Sequence, residues 1–295
     1  MRATSHSDRG LGAVRRLLAD AVKERTARFL KDLKRARQHP VDDPIHDLRV
    51  SVRRLAAALL TTNEIRPSKS TVEVLSQLDT LMRPLGKLRD AQVQLGLLGA
   101  LGKRDAKAVS AFANLLEERE ARFREKSQKA MKRPDATRIK KGCKQVRAEL
   151  DGERRGNEVA RQAAARAAWR ILLRCYRSVR AHRLRALNRR DLKALHKMRL
   201  ALKRMRYTAE VLQPALPGLS VGRLKLFGRY QTYMGDIHDL DVLAEDIRKF
   251  YGATCSAQAR HVVERLTRRR EGIFGQFRKS FGRMEKAVLE QQRTQ

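Results

Sequence analysis

Residues 45–60 read IHDLRVSVRRLAAALL, and residues 195–212 read LHKMRLALKRMRYTAEVL. His46 is answered by His196, Arg49 by Arg199, Arg53 by Lys203 and Arg54 by Arg204, each 150 residues further along. At about 100° per residue, Leu48, Val52, Leu55 and Leu59 gather on one side of a helix. His46, Arg49 and Arg53 stack one turn apart on the opposite side, with Arg54 on the flank. The second stretch repeats the division: Met198, Leu202, Met205, Ala209 and Leu212 face a core, while His196, Arg199, Lys203 and Arg206 face away. Each helix therefore pairs a packing side with a cationic row, and the rows are the expected working surface.

A second matched segment points to duplication of the whole unit. Leu85–Val93 is LGKLRDAQV and Met234–Val242 is MGDIHDLDV, so that Gly86 answers Gly235, Arg89 answers His238 and Asp90 answers Asp239 at a spacing of 149 residues. Helical periodicity dominates elsewhere and strand signals are nearly absent. Expected helices cover 11–37, the first basic stretch up to Pro67, 70–101 with a bend at Pro84, and 105–131 starting on Asp105 as an N-cap. The pattern restarts with helices over 158–187, 191–213, 219–251 and 256–291. Pro40 and Pro44 break the first helix from the second. The expected fold class is all-α, with two tandem four-helix bundles packed through apolar stripes. Residues 1–131 form the first bundle and 158–295 the second. Residues 132–157 read as a charged linker holding a short helix at 136–150.

Charge is the dominant bulk property: 67 Lys+Arg against 32 Asp+Glu give a formal net charge of +35 in 295 residues. Self-repulsion on that scale opposes compactness, so a polyanionic partner is expected: nucleic acid, an anionic membrane or polyphosphate. A 42% hydrophobic content with clean periodicity excludes a disordered basic tail. Cys143, Cys175 and Cys255 form no CxxC and leave an odd count, which argues against a disulfide framework or zinc site. No apolar run approaches the roughly 20 residues of a membrane span, and the N-terminus lacks the apolar core of a signal peptide. A cytoplasmic location follows as the expectation, with no membrane partner and no cofactor or metal.

Positions three or four apart on a helix lie roughly 5–6 Å from each other, so His46, Arg49 and Arg53 present donors at a spacing that a chain of phosphates can follow. Arginine suits this role because its planar fork bonds phosphate bidentately and stays charged. Only Asp47 supplies a carboxylate within residues 45–60, so the row is not the balanced face of an ordinary surface helix. His46 and His196 sit among cations that disfavour their protonation, so proton uptake should accompany polyanion binding. Gly86 and Gly235 interrupt helical runs, each for a close helix crossing or for an anion approaching bare backbone; the crossing is the favoured expectation. Asp90 and Asp239 are expected to accept from the arginines of the rows. Arg15, Arg16, Lys23, Arg166, Arg170 and Arg174 extend the basic surface.

Catalysis finds little support. His46–Asp47 and His238–Asp239 are HD dipeptides of the kind seen in metal phosphohydrolases, but Lys197 replaces Asp47 in the second copy, and no P-loop, HExxH or triad signature occurs. Nucleic acid is the main rival. Aromatics make up only 5% and the rows carry just Tyr207, which leaves single strands without stacking platforms. Nonspecific DNA or RNA binding at low salt through counterion release remains the alternative.

The H-x-x-R-V helix with its trailing basic residues, followed by L-G-x-x-R-D-x-x-V and both repeated in order, resembles the CHAD family, the conserved histidine α-helical domain. The resemblance spans about residues 11–289. It implies two four-helix bundles related by a pseudo-twofold, a basic central channel or groove, and non-catalytic binding of inorganic polyphosphate. The polyphosphate granule is then where such a protein would gather. The resemblance falls on His46, Arg49, Arg53, Arg54 and Arg89, and on His196, Arg199, Lys203, Arg204, Arg206 and His238, as expected polyphosphate contacts, and Lys87 beside Gly86 is a further candidate. Asp90, Asp239, Gly86 and Gly235 support them. Ala56 stands opposite Arg206, His238 opposite Arg89 and Gln92 opposite Asp241, so an asymmetric site is expected.

Overall fold

The computed structural model describes the backbone of residues 6–150, 158–188 and 191–289, and every regular element among them is helical. In order these are α1 (His6–Gln38), α2 (Asp42–Ile65), α3 (Lys69–Gly99), α4 (Lys103–Ala108), α5 (Ser110–Lys132) and α6 (Ala136–Leu150). There follow α7 (Glu158–Asn188), α8 (Leu192–Leu212), α9 (Val221–Tyr251) and α10 (Ala257–Leu289). Capping explains several starts. Ser68 accepts from the Thr71 amide at 3.1 Å, Asp191 from Ala194 at 3.0 Å and Ser220 from Arg223 at 3.3 Å. Pro44 lies inside the first turn of α2, where a missing N–H costs nothing. α3 runs unbroken through Pro84.

One expected helix divides. Asp105 is not an N-cap: it sits inside α4, whose cap position is Gly102, and it accepts from Arg265 of α10. The chain leaves helical geometry at Val109 (φ −120°, ψ 18°), which is buried, and resumes as α5. The break aims Val109 into an apolar cluster with Leu98, Phe112, Leu243 and Val262.

The apolar stripes of α2 and α8 are the centre of the packing. Leu48, Val52, Leu55 and Leu59 have no exposed surface, nor do Met198, Leu202, Met205, Ala209 and Leu212. α1 packs on α2 and α7 packs on α8; α3 lies against α5, and α9 against α10. The two halves meet where α1 touches α7, α2 touches α8 and α3 touches α9. The larger apolar cluster draws on both halves without interruption. Of the expected linker, residues 151–157 lie outside the described residues, and residues 132–150 are more than a tether. α6 packs between α1 and α3 and buries Ile139, Cys143, Val146 and Leu150. Arg37 of α1 anchors its entry by donating to the Met131 and Pro134 carbonyls at 2.7 Å each. At Gly142 an added Cβ would come 2.6 Å from Val74 Cγ2, so glycine is what lets α6 lie this close to α3. Cys143, Cys175 and Cys255 are free thiols. No helix among the described residues is long and apolar enough to cross a membrane.

Candidate functional site

The cationic row of α2 projects toward α3. Arg49 is buried, and its Nη1 donates to the Leu85 carbonyl. Gly86 follows that carbonyl, and a Cβ there would lie 4.0 Å from Nη1; the bare position leaves the guanidinium room against α3. Arg53, one turn on, is half-buried, and its Nε is sealed from solvent with no hydrogen-bond partner among the described residues. An orphaned buried donor costs roughly 1–3 kcal/mol, a cost that an acceptor from a ligand would relieve. On α8, Arg199 and Lys203 are half-buried and His196 is exposed.

The two rows influence each other across the halves. Burial pushes the Lys203 ammonium down to about 8, and Arg53, Arg199 and Arg49 push it the same way while Asp90 opposes them. Burial, then Arg53, brings Arg49 down to about 10, against Asp90. Such shifts require charges within several ångströms of one another. Residues from α2 (Arg49, Arg53), α3 (Arg89, Asp90), α8 (Arg199, Lys203) and α9 (Asp239) therefore share one electrostatic neighbourhood.

The carboxylates there do not behave as expected. Neither Asp90 nor Asp239 forms an ion pair or hydrogen bond with a residue of the rows, so they do not clamp the arginine forks. Asp90 keeps open surface while Asp239 is half-buried. Protein crowding on their inner sides raises both, against the pull of Arg49 on Asp90 and of Arg199 on Asp239. They act through the field, as partial counter-charges. The expected helix crossing at the glycines also fails: nothing lies within 4 Å of a Cβ at Gly235, and Gly86 meets only Arg49. Both glycines border open space.

Several expected contact residues are committed elsewhere. Arg204 of α8 bonds Glu64 of α2, and Arg54 of α2 lies 4.0 Å from Glu210 of α8. These two bridges tie α2 to α8 in both directions. Arg206 is held by Glu210 at 2.9 Å and by Gln231 at 3.2 Å, with its guanidinium 5.3 Å from the Tyr207 ring centroid. Tyr207 is itself buried and offers no stacking face. Lys87 is exposed on α3 with no described contact to the rows. Arg16 is half-buried on α1, and Arg15 Nε is buried without a partner; Lys23, Arg166, Arg170 and Arg174 are exposed.

The histidines mark the outer ends. His46 lines a cavity of about 550 Å³ with Arg49, Arg89, Asp42, Glu120 and Arg124. His196 lines one of about 390 Å³ with Arg199, His238, Lys193 and Lys197. The His196 and His238 rings are 5.5 Å apart, and burial, with Arg199 and His196, pushes His238 down to about 4. The histidine replacing Arg89 is therefore neutral at pH 7. The HD dipeptide at 46–47 does not act as a unit, because Asp47 turns to Arg35 at 2.9 Å. Among the described residues no group of three or more His, Cys, Asp or Glu is set to hold a metal. Sequence reasoning missed the Asp42–Gln92–Glu120–Arg124 cluster, although Glu120 and Arg124 at i,i+4 on α5 were a readable pair.

The described residues thus define an all-α protein with buried and half-buried cations on α2 and α8. The sequence profile of the CHAD domain matches residues 13–248, and the chain belongs to the CHAD domain family. Two solved structures share the fold. The CHAD domain from the plant Ricinus communis is 18% identical, with a TM-score of 0.63 over 93% of this chain and 91% of that one. PptA from Streptomyces chartreusis is 18% identical, with a TM-score of 0.55 over 92% and 99%. No curated protein sequence matches the chain significantly.

Proposed function

We propose that this protein binds inorganic polyphosphate without turning it over, holding the chain along a trough between α2 and α8. In this reading the chain is a duplicated pair of four-helix units about a pseudo-twofold, and the trough runs His46–Arg49–Arg53–Lys203–Arg199–His196. The observation that carries the reading is the packing of α2 on α8, which brings Arg49 and Arg53 to bear on Lys203, and Arg199 and Lys203 to bear on Asp90. Four cations desolvated against one another are unfavourable without a counter-charge, and Asp90 and Asp239 offset them only in part. A linear polyanion supplies the remainder with flexible, repeating oxygen acceptors. The unpartnered Arg53 Nε and the bare backbone at Gly86 and Gly235 suit such a ligand. Arg54, Arg204 and Arg206 set the spacing of the two helices, and His46 and His196 close the ends.

The proposed role is binding alone, a reading supported by the broken HD pairing at Lys197. Polyphosphate chain length after incubation with Mg²⁺ or Mn²⁺ tests this, and shortening would move the protein to the hydrolases. We place it in the cytoplasm where polyphosphate accumulates; imaging of a tagged chain that stays diffuse around granules would remove that assignment.

A second reading has its own support on α7. Arg166, Arg170, Arg174 and Arg177 share its exposed side, and none of the four forms an ion pair among the described residues. Such a stripe fits a nucleic-acid backbone held nonspecifically. Titrating polyphosphate against duplex DNA across salt separates the two readings. Polyphosphate should displace DNA at near-physiological salt, and DNA prevailing there would hand the function to nucleic acid.

A further inference from the structure

The ends of the two rows are built from residues that the duplication does not share. At a spacing of 150, Asp42, Asp43 and Asp47 are answered by Leu192, Lys193 and Lys197. At the α2 end the cation nearest the opening is already engaged. Arg124 gives Nη2 to both Asp42 (2.8 Å) and Glu120 (2.6 Å), and the Gln92 amide donates to the same two carboxylates at 2.9 and 3.3 Å. Asp42 and Asp43 also occupy the first turn of α2, where free backbone N–H groups would otherwise attract a phosphate. Beyond His46 a polyanion meets more carboxylate than free cation.

The α8 end has the opposite balance. Its two carboxylates, Asp241 and Glu245, are held by cations from outside the row: Arg270 at 3.0 Å, which Asp241 shares with Glu271, and Lys249 at 2.6 Å. No acidic residue lies in the first turn of α8, and the Asp191 that caps it is paired with Arg185 at 2.5 Å. Lys193, Lys197 and Arg199 form no ion pair among the described residues. Once pairs are counted, this cavity offers three free cations, Lys193, Lys197 and Arg199, against the one carboxylate left over on Arg270. The α2 cavity offers Arg49 and Arg89 against the free Asp43 and the surplus carboxylate on Arg124.

Resting on the polyphosphate reading above, we infer that the trough is polarised. A bound chain ends at the acid-guarded α2 mouth beside His46 and runs out of the protein past Lys193 and Lys197 at the α8 mouth. The protein then holds one terminal segment of a long chain and leaves the rest free. Each row is about 10 Å from its histidine to its last rung at 1.5 Å per residue, so a short oligophosphate lies within the rows while a long chain must pass a mouth.

The test compares a short oligophosphate with long-chain polyphosphate on three double variants. Lys193→Gln with Lys197→Gln should weaken long-chain binding about tenfold and leave the short chain within about twofold. Asp42→Asn with Asp43→Asn removes the guard and should strengthen long-chain binding several-fold. Asp43→Asn alone, at an exposed position with no ion-pair partner, should move the same way if the double variant folds poorly. Lys140→Gln with Lys144→Gln on α6 carries the same charge change as the lysine pair away from the rows and should leave the long-to-short ratio unchanged. Equal long-chain losses from the α6 pair and the α8-mouth pair, or no gain from the aspartate variants, would overturn the polarity. Failure of the unaltered protein to bind either chain would instead remove the polyphosphate reading itself.

Discussion

α2 and α8 begin as near copies and end with different surroundings. Both bury an apolar stripe completely, and both carry a histidine followed by two cationic rungs at matching positions. On α2, Arg49 is buried and fastened to the Leu85 carbonyl, and Asp42 and Glu120 guard the outer end. On α8, Arg199 is half-buried with no described hydrogen bond, His238 takes the place of an arginine, and two lysines lead outward. The repeated residues place the rungs, and the unrepeated ones decide what each rung is free to do. In this account α2 supplies a fixed wall and α8 the adjustable one.

The largest expected effect removes both walls. Arg49→Glu with Arg199→Glu should abolish polyphosphate binding, a loss of at least about 100-fold for two charge reversals at a desolvated site, with helicity by circular dichroism retained. Unchanged affinity in a folded double variant rejects the site. The single alanine variants sharpen the comparison. Arg49→Ala should lower stability by about 1.5–3 kcal/mol, because the Leu85 carbonyl loses a charged donor. Arg199→Ala should cost little stability and should lower affinity at least as much; equal denaturation midpoints would contradict the fixed-wall picture.

The glycines provide the next contrast. Gly142→Ala pushes α6 against Val74 and should cost about 1–3 kcal/mol through overpacking. Gly235→Ala meets open space and should be neutral or stabilising by up to about 1 kcal/mol from helix propensity. Thermal melts should fall for Gly142→Ala and hold level or rise for Gly235→Ala.

A pH series probes Lys203. Its folded value of about 8 lies below the ordinary lysine value of about 10.4, so the folded chain binds fewer protons than the unfolded chain between those limits. Stability of the free protein therefore rises with pH across that window, and the cost of the buried ammonium is fully present below it. Polyphosphate affinity should follow the opposite course, steady near pH 7 and falling as pH passes 8. Lys203→Arg should flatten that decline. The smallest effect belongs to the Arg204–Glu64 bridge, which is partly exposed: Glu64→Gln should change stability by no more than about 1 kcal/mol, within reach of a denaturant titration.

What was legible in the sequence follows from what periodicity can carry. The stripe at Leu48, Val52, Leu55 and Leu59 gives the buried side of α2, and the residues between place the rungs, because a helix fixes directions from spacing alone. Capping chemistry was a weaker guide: Asp191 does cap α8, but Asp105, read as an N-cap, sits inside α4. Partnership across the fold was not. Glu64 lies outside the repeated stretches and Glu210 answers Leu60 in the first copy, so the repeat does not announce the carboxylates that take up Arg204, Arg54 and Arg206, and nothing local marks Arg35 as the partner of Asp47. The break at Val109 answers to a distant apolar cluster and not to a turn residue. The glycines misled because an interrupted helix implies a tight crossing only where another backbone would meet a Cβ, and at 86 and 235 none lies within 4 Å of one.

The most direct measurement is a calorimetric titration of a short oligophosphate into the protein and into its Arg53→Ala, Lys203→Ala and combined variants. One trough shared by the two rows gives one chain bound per protein, with losses from the two substitutions that couple instead of simply adding. Two chains bound independently, each sensitive to only one of the substitutions, would contradict a shared trough.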